Sequence, residues 1–152
     1  MSFYDISEIK KFTTKFKIDA IQTPFNLIDR RLLGNKYINL LKDLNIEIHV
    51  RSIFLQGLLL ANPKSRPIKF NKWKKIWYNY DNWIKNLKLT PIEACAGYVK
   101  SFPEINRIII GFENKSQLLE TLKAKKIVTK APYNISSYDE NLINPYNWNN
   151  LC

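Results

Sequence analysis

The residues able to do chemistry in this 152-residue chain are few and scattered. Histidine occurs once, as His49, and cysteine twice, as Cys95 and Cys152, with no C-x-x-C pair. A zinc site has too few ligand candidates, and a Ser/His/Asp triad would need His49 without any nucleophile-elbow sequence beside it. Only four glycines are present, Gly34, Gly57, Gly97 and Gly111, so neither G-x-G-x-x-G nor a P-loop can be written. What remains is binding chemistry. Gln22 offers donor and acceptor together, which matches a carboxamide. Gly111 precedes a capped helix start, where backbone N–H groups can meet a phosphate or ribose. His49 alternates with Glu47 and Arg51, so the three share one strand face, more simply a polar layer than a catalytic set. Cys95 lies in an apolar helical run and reads as packing.

These residues need elements to hold them. Asp5-Ile6-Ser7-Glu8 has the form of a capping box, followed by Ile6, Ile9, Phe12 and Phe16 at helical spacing. Residues 18–23 read as a buried strand ended by Pro24. Leu32, Leu33, Tyr37, Leu40, Leu41 and Leu44 read as a helix, and residues 46–51 as an alternating strand. A helix then carries Trp73, Ile76, Trp77, Tyr80, Trp83, Ile84 and Leu87 on one face. Thr90-Pro91-Ile92-Glu93 starts another, residues 107–110 form a third strand, and Asn114-Lys115-Ser116-Gln117 caps a last helix. Strands separated by helices imply a parallel sheet. Chemistry in such folds gathers at the C-terminal strand ends. These ends are Ser2 and Phe3, Gln22 and Thr23, Arg51 and Ser52, and residues 111–114.

Composition bounds the rest. One domain is expected, with 45% apolar residues to fill its core and a net charge of +11. No run is long and apolar enough to span a bilayer, no leader layout opens the chain, and cysteine usage fits a reducing, cytoplasmic setting. A three-stranded parallel sheet would keep two open edges, so it reads as part of something larger. A complete (β/α)8 barrel runs to about 250 residues, about 100 more than this chain.

Residues 19–31, 50–59 and 110–120 resemble, in order and spacing, the C-terminal half of an aldo/keto reductase. The implied fold is α/β, a partial TIM (β/α)8 barrel of about its last three strands with their helices. Residues 1–126 would be that half-barrel and 127–152 an irregular tail. The family reduces carbonyls with a nicotinamide cofactor through an Asp, Tyr, Lys and His tetrad carried by the first half of the barrel. No tetrad position falls in this sequence, so no catalytic residue is assigned, and the isolated chain is expected to be inactive. The resemblance carries over cofactor contacts instead. Ser2 and Gln22 match residues holding the carboxamide; Arg51, Ser52, Phe54 and Gln56 match the loop along nicotinamide and pyrophosphate; Gly111, Glu113, Gln117 and Glu120 match the adenosine end. Phe3, Arg51 and Thr121 depart from the residues many members carry.

The family's habit favours NADP(H) over NAD(H), although Glu113 stands where a cation often meets the 2′-phosphate; Lys64, Arg66 or Lys115 would have to compensate. Arg51 against the nicotinamide ring would favour the reduced cofactor, unless it pairs with Glu47 or the pyrophosphate. The expected partners are the cofactor, a small, sugar-like carbonyl substrate and the missing N-terminal half in cis or trans, with no membrane. The alternatives are a non-catalytic cofactor-binding partner and a basic nucleic-acid module. The latter rests on +11 and Lys72-Trp73-Lys74-Lys75-Ile76-Trp77, a composition that an A/T-rich genome also produces.

Overall fold

The computed structural model describes residues 1–34, 36–127 and 130–151; Cys152 lies outside them. Its centre is a parallel sheet of β1 (Ala20–Pro24), β2 (Glu47–Arg51) and β3 (Arg107–Ile108), in that spatial order. Gln22 pairs with His49 and His49 with Arg107. β3 is shorter than the expected 107–110, yet the Asn106 and Ile109 amides still donate to Ile48 and Val50 carbonyls at 2.9 and 2.8 Å. Residues 1–3 add a rudimentary fourth strand. Ser2 bridges Gln22 in parallel, the Phe3 amide donates to the Gln22 carbonyl, and the Gln22 amide donates to the Met1 carbonyl. Each strand therefore lies beside the one before it. The winding never reverses, as in a barrel and unlike a doubly wound sheet.

Alternation decides which face is covered. Ile21, Thr23, Ile48 and Val50 are buried, while Gln22, His49 and Arg51 on the opposite face are half-buried and Glu47 is exposed. The apolar face joins one core cluster that includes Phe25, Leu41, Leu59, Phe70, Trp77, Tyr80 and Val99.

The helices mostly follow the sequence pattern. α1 (Glu8–Thr13) lacks the expected capping box: the Asp5 carboxylate takes the Ser7 amide and hydroxyl at 2.8 and 2.6 Å, with no return bond from Glu8. α1 ends at Thr13, where the Thr13 and Thr14 hydroxyls bond back to the Ile9 and Lys10 carbonyls. Phe16 is consequently exposed rather than on the buried face. The stretch expected as one helix from Leu32 to Leu44 divides into a 3-10 turn (Arg31–Leu33) and α2 (Tyr37–Asp43). Gly34 is extended and Lys36 is left-handed, so helical dihedrals cannot run through.

α3 (Lys74–Leu87) buries Trp77, Tyr80, Trp83 and Ile84. α4 (Pro91–Lys100) opens with the expected box: Thr90 Oγ1 accepts from the Glu93 amide and Glu93 Oε2 accepts from the Thr90 amide. α5 (Lys115–Lys123) is capped by Asn114. The Lys100 ammonium donates to the Thr121, Leu122 and Ala124 carbonyls, neutralising the negative end of α5.

The last residues form 3-10 turns (Tyr133–Ile135, Pro145–Asn150) and α6 (Glu140–Ile143). They pack onto the core rather than trailing from it: Ile135, Leu142 and Ile143 are buried, and Trp73 Nε1 donates to Asp139 at 3.0 Å.

Candidate functional site

β2 and β3 both end at a cleft of about 500 Å³. Its first wall is the turn after β2, where Ser52, Leu55, Gln56 and Gly57 have φ of 59°, 47°, 52° and 79°. Left-handed backbone costs a non-glycine residue about 1–3 kcal/mol. The buried side chains of Ile53, Phe54 and Leu55 hold the turn, each contributing about 2 kcal/mol by leaving water. Burial therefore offsets the strain, and the polar groups of Arg51, Ser52 and Gln56 are left to line the cleft.

A second clamp comes from the loop after β1. Asn26, fully buried, donates from Nδ2 to the Ser52 carbonyl at 3.1 Å and accepts the Ile28 and Asp29 amides at Oδ1. From behind, the Tyr80 hydroxyl donates to the Leu59 carbonyl at 2.7 Å. The opposite wall is residues 109–113 with Gln117. There Gln117 Oε1 accepts the Glu113 amide at 2.8 Å and Asn114 Oδ1 accepts the Gln117 amide at 2.9 Å. A Cβ added to Gly111 would meet nothing within 4 Å, so the backbone there is open on that side.

Arg51, Ser52, Phe54, Gln56, Gly111, Glu113 and Gln117 thus share one cleft. Three expected residues lie elsewhere. Ser2 and Gln22 sit together on neighbouring strands, with Ser2 Oγ donating to Gln22 Oε1 at 3.3 Å. Arg51 links this pair to the cleft, since Nη2 donates to the Phe3 carbonyl at 3.4 Å and Nη1 to Ser52 Oγ at 3.3 Å. Glu120 accepts the Thr90 hydroxyl and ties α5 to the start of α4, away from the cleft lining. Thr121 is buried and bonds the Gln117 carbonyl.

Among the described residues that line the cleft, Arg51 is the cation and Glu113 the carboxylate, and they are not paired with each other. Arg51 is not paired with Glu47: that carboxylate accepts from His49 at 2.8 Å and lies 3.7 Å from Arg107. Bonding to His49 holds Glu47 below the usual carboxylate range. Arg66 is also spent, bridging Asp81 at 2.9 and 3.2 Å with its guanidinium over Trp77, so it is no counter-charge for Glu113. Trp73 and Trp77 are buried and bond Asp139 and the Phe70 carbonyl, which removes them as stacking platforms for bases. Among the described residues no cluster of His, Cys, Asp and Glu could hold a metal, and no helix is long and apolar enough to cross a membrane.

A parallel, singly wound sheet with a polar cleft at its C-terminal strand ends is barrel-like in plan. The aldo/keto reductase family model matches residues 1–142. The chain belongs to the aldo/keto reductase family. No curated protein matches it. Membership in this family brings an oxidoreductase-like function and, at the family level, NAD(P)H and a carbonyl substrate. The donor set of the cleft fits such a cofactor: a guanidinium, a hydroxyl and a helix start suit its phosphates, and a carboxylate suits its hydroxyls.

Sequence reasoning missed two positioning residues of this aldo/keto reductase chain. Asn26 follows Pro24 in a turn, and an asparagine there signals side-chain bonding to backbone but not burial. Tyr4, whose ring lies 3.8 Å from the Arg51 guanidinium carbon, carries no such signal.

Proposed function

We propose that this chain supplies the cofactor-binding half of an aldo/keto reductase barrel, with residues 1–126 as that half and 127–152 as its tail. The reaction is reduction of a small, sugar-like carbonyl compound with NADP(H), in preference to NAD(H), in the cytoplasm. The observation that carries this reading is the convergence of Arg51, Ser52, Phe54, Gln56, Gly111, Glu113 and Gln117 on one cleft at the C-terminal ends of β2 and β3. The bound nicotinamide would supply hydride. The start of α5 attracts the anionic centre of the cofactor, Arg51 stands against its nicotinamide ring, Gln22 and Ser2 hold its carboxamide, and Glu113 accepts hydrogen bonds from its hydroxyls. Ile53, Phe54 and Leu55 fill the space beneath the strained turn and keep water from it.

Proton delivery is the missing function. Among the described residues no His, Lys, Tyr or Cys lines the cleft, so the Asp, Tyr, Lys and His tetrad must come from further strands, in cis or in trans. The unpaired outer edges of residues 1–3 and β3 support this, since each is a template for another strand.

The test titrates the chain with NADPH and NADH by nicotinamide fluorescence and assays aldehyde reduction with and without an N-terminal half-barrel of the family. Binding without turnover, with turnover appearing on complementation, is the expected pattern. Reduction by the pure, monomeric chain, or absence of cofactor binding in the complemented protein, sinks the proposal.

A further inference from the structure

A second cavity, of about 650 Å³, shares no lining residue with the cleft. Arg30, Lys126 and Lys130 supply its cations and Tyr98, Tyr133 and Tyr138 its phenols, and no Asp or Glu lines it among the described residues. Arg30 is only 9% exposed. Its Nε donates to the Leu27 carbonyl at 2.8 Å and Nη1 to the Ala131 carbonyl at 3.1 Å, while Nη2 is buried with no partner among the described residues. Removal from water lowers the guanidinium's affinity for its proton, yet arginine stays charged. The Tyr98 phenol, pushed up to about 12 by burial, stays neutral and able to donate. A buried cation normally finds an anion, and here the described residues provide none.

We propose that this cavity binds a small ring-bearing organic anion, its phosphate or carboxylate group directed to Arg30 and its ring against the apolar walls. Two further observations fix the class. Lys126 and Lys130 are exposed at the cavity and have no carboxylate partner among the described residues, so three cations surround the space. Leu33, Phe102 and Ala131 make the walls apolar, and the volume suits an organic ligand rather than a bare oxyanion. Nη2 is screened from solvent, and the Tyr133 and Tyr138 side chains that line the cavity are largely exposed.

Calorimetric titration of the full chain at fixed ionic strength tests this with phenyl phosphate, benzoate, inorganic phosphate and benzyl alcohol. At least one aryl anion should bind about tenfold more tightly than both benzyl alcohol and inorganic phosphate. The double variant Lys126→Ala/Lys130→Ala should weaken that binding about fivefold or more, whereas Lys10→Ala/Lys11→Ala on α1 should leave it unchanged. Equal affinity for benzyl alcohol would mean an apolar hole, equal affinity for inorganic phosphate a plain oxyanion site, and equal loss in both double variants mere net charge; each overturns the proposal. Arg30→Lys, checked for folding by circular dichroism, should also lose affinity, and unchanged binding defeats the assignment of Arg30; if it does not fold, the lysine pairs decide. Saturating NADPH should not displace the anion. Displacement would place the anion in the cleft and overturn this site while leaving the cofactor reading intact.

Discussion

The guanidinium carbon of Arg51 lies over the Tyr4 ring, 3.8 Å from its centroid, and Tyr4 meets Tyr146 edge to face at 5.0 Å. The cation is anchored by an aromatic ring, the Phe3 carbonyl and Ser52 Oγ rather than by a carboxylate. Its charge is therefore not cancelled at the cleft. An oxidised nicotinamide is cationic and a reduced one neutral, and two unit charges about 4 Å apart repel by roughly 4 kcal/mol at an effective dielectric near 20, an upper bound. Replacing Arg51 by Tyr should shrink the preference for reduced over oxidised cofactor about tenfold, read as the ratio of two dissociation constants in the complemented barrel. Equal loss of both affinities would instead assign Arg51 to the pyrophosphate.

Asn26 joins the turns after β1 and β2 through one amide. Asn26→Leu would strand the Ile28 and Asp29 N–H groups, each costing about 1–3 kcal/mol, while the Ser52 carbonyl would keep the Leu55 amide at 2.9 Å. Urea denaturation should show a loss of about 3 kcal/mol or more. A loss below about 1 kcal/mol would mean that the turn after β2 is held by its own apolar side chains.

The glycines separate backbone strain from steric room. Gly57→Ala should cost about 1–2 kcal/mol because φ is +79° although space is open. Gly111→Ala, with space open and φ outside the left-handed region, should leave stability within about 0.5 kcal/mol yet weaken NADPH binding where the cofactor runs along that backbone. Gly97→Ala should be the worst, since its Cβ would stand 2.4 Å from the Lys125 carbonyl oxygen. Thermal melts of the three variants check the order.

Burial pushes the Cys95 thiol up to about 12, against 9.0 for the ordinary group, and Tyr80 lies 3.4 Å away. The unfolded chain loses this proton first as the solution becomes alkaline. The Cys95 contribution to stability is thus complete below pH 9 and declines towards pH 12, by about 1.4 kcal/mol per pH unit. In a Cys152→Ser background, Cys95 should ignore a thiol reagent at neutral pH until urea unfolds the chain. The alkaline decline should be smaller in Cys95→Ala; an equal decline assigns it to Tyr80 and Tyr98, which burial also raises.

The sequence alone determined what depends on neighbours along the chain. The Thr90 capping box, the buried Trp77, Tyr80 and Ile84 stripe of α3, and the alternation that buries Ile48 and Val50 while leaving His49 and Arg51 on the other face are local periodicities read against one solvent boundary. Ordered residue blocks also made the family legible. Tertiary structure decided the partners. Nothing near Arg51 in the chain indicates that Tyr4 would receive it, that Arg107 would come within 3.7 Å of Glu47, that Arg66 would be spent on Asp81, or that Glu120 would turn to Thr90. Long side chains reach whichever opposite charge, ring or hydroxyl the packed elements bring within a few ångströms, and that choice is made only once residues far apart in the chain share one surface.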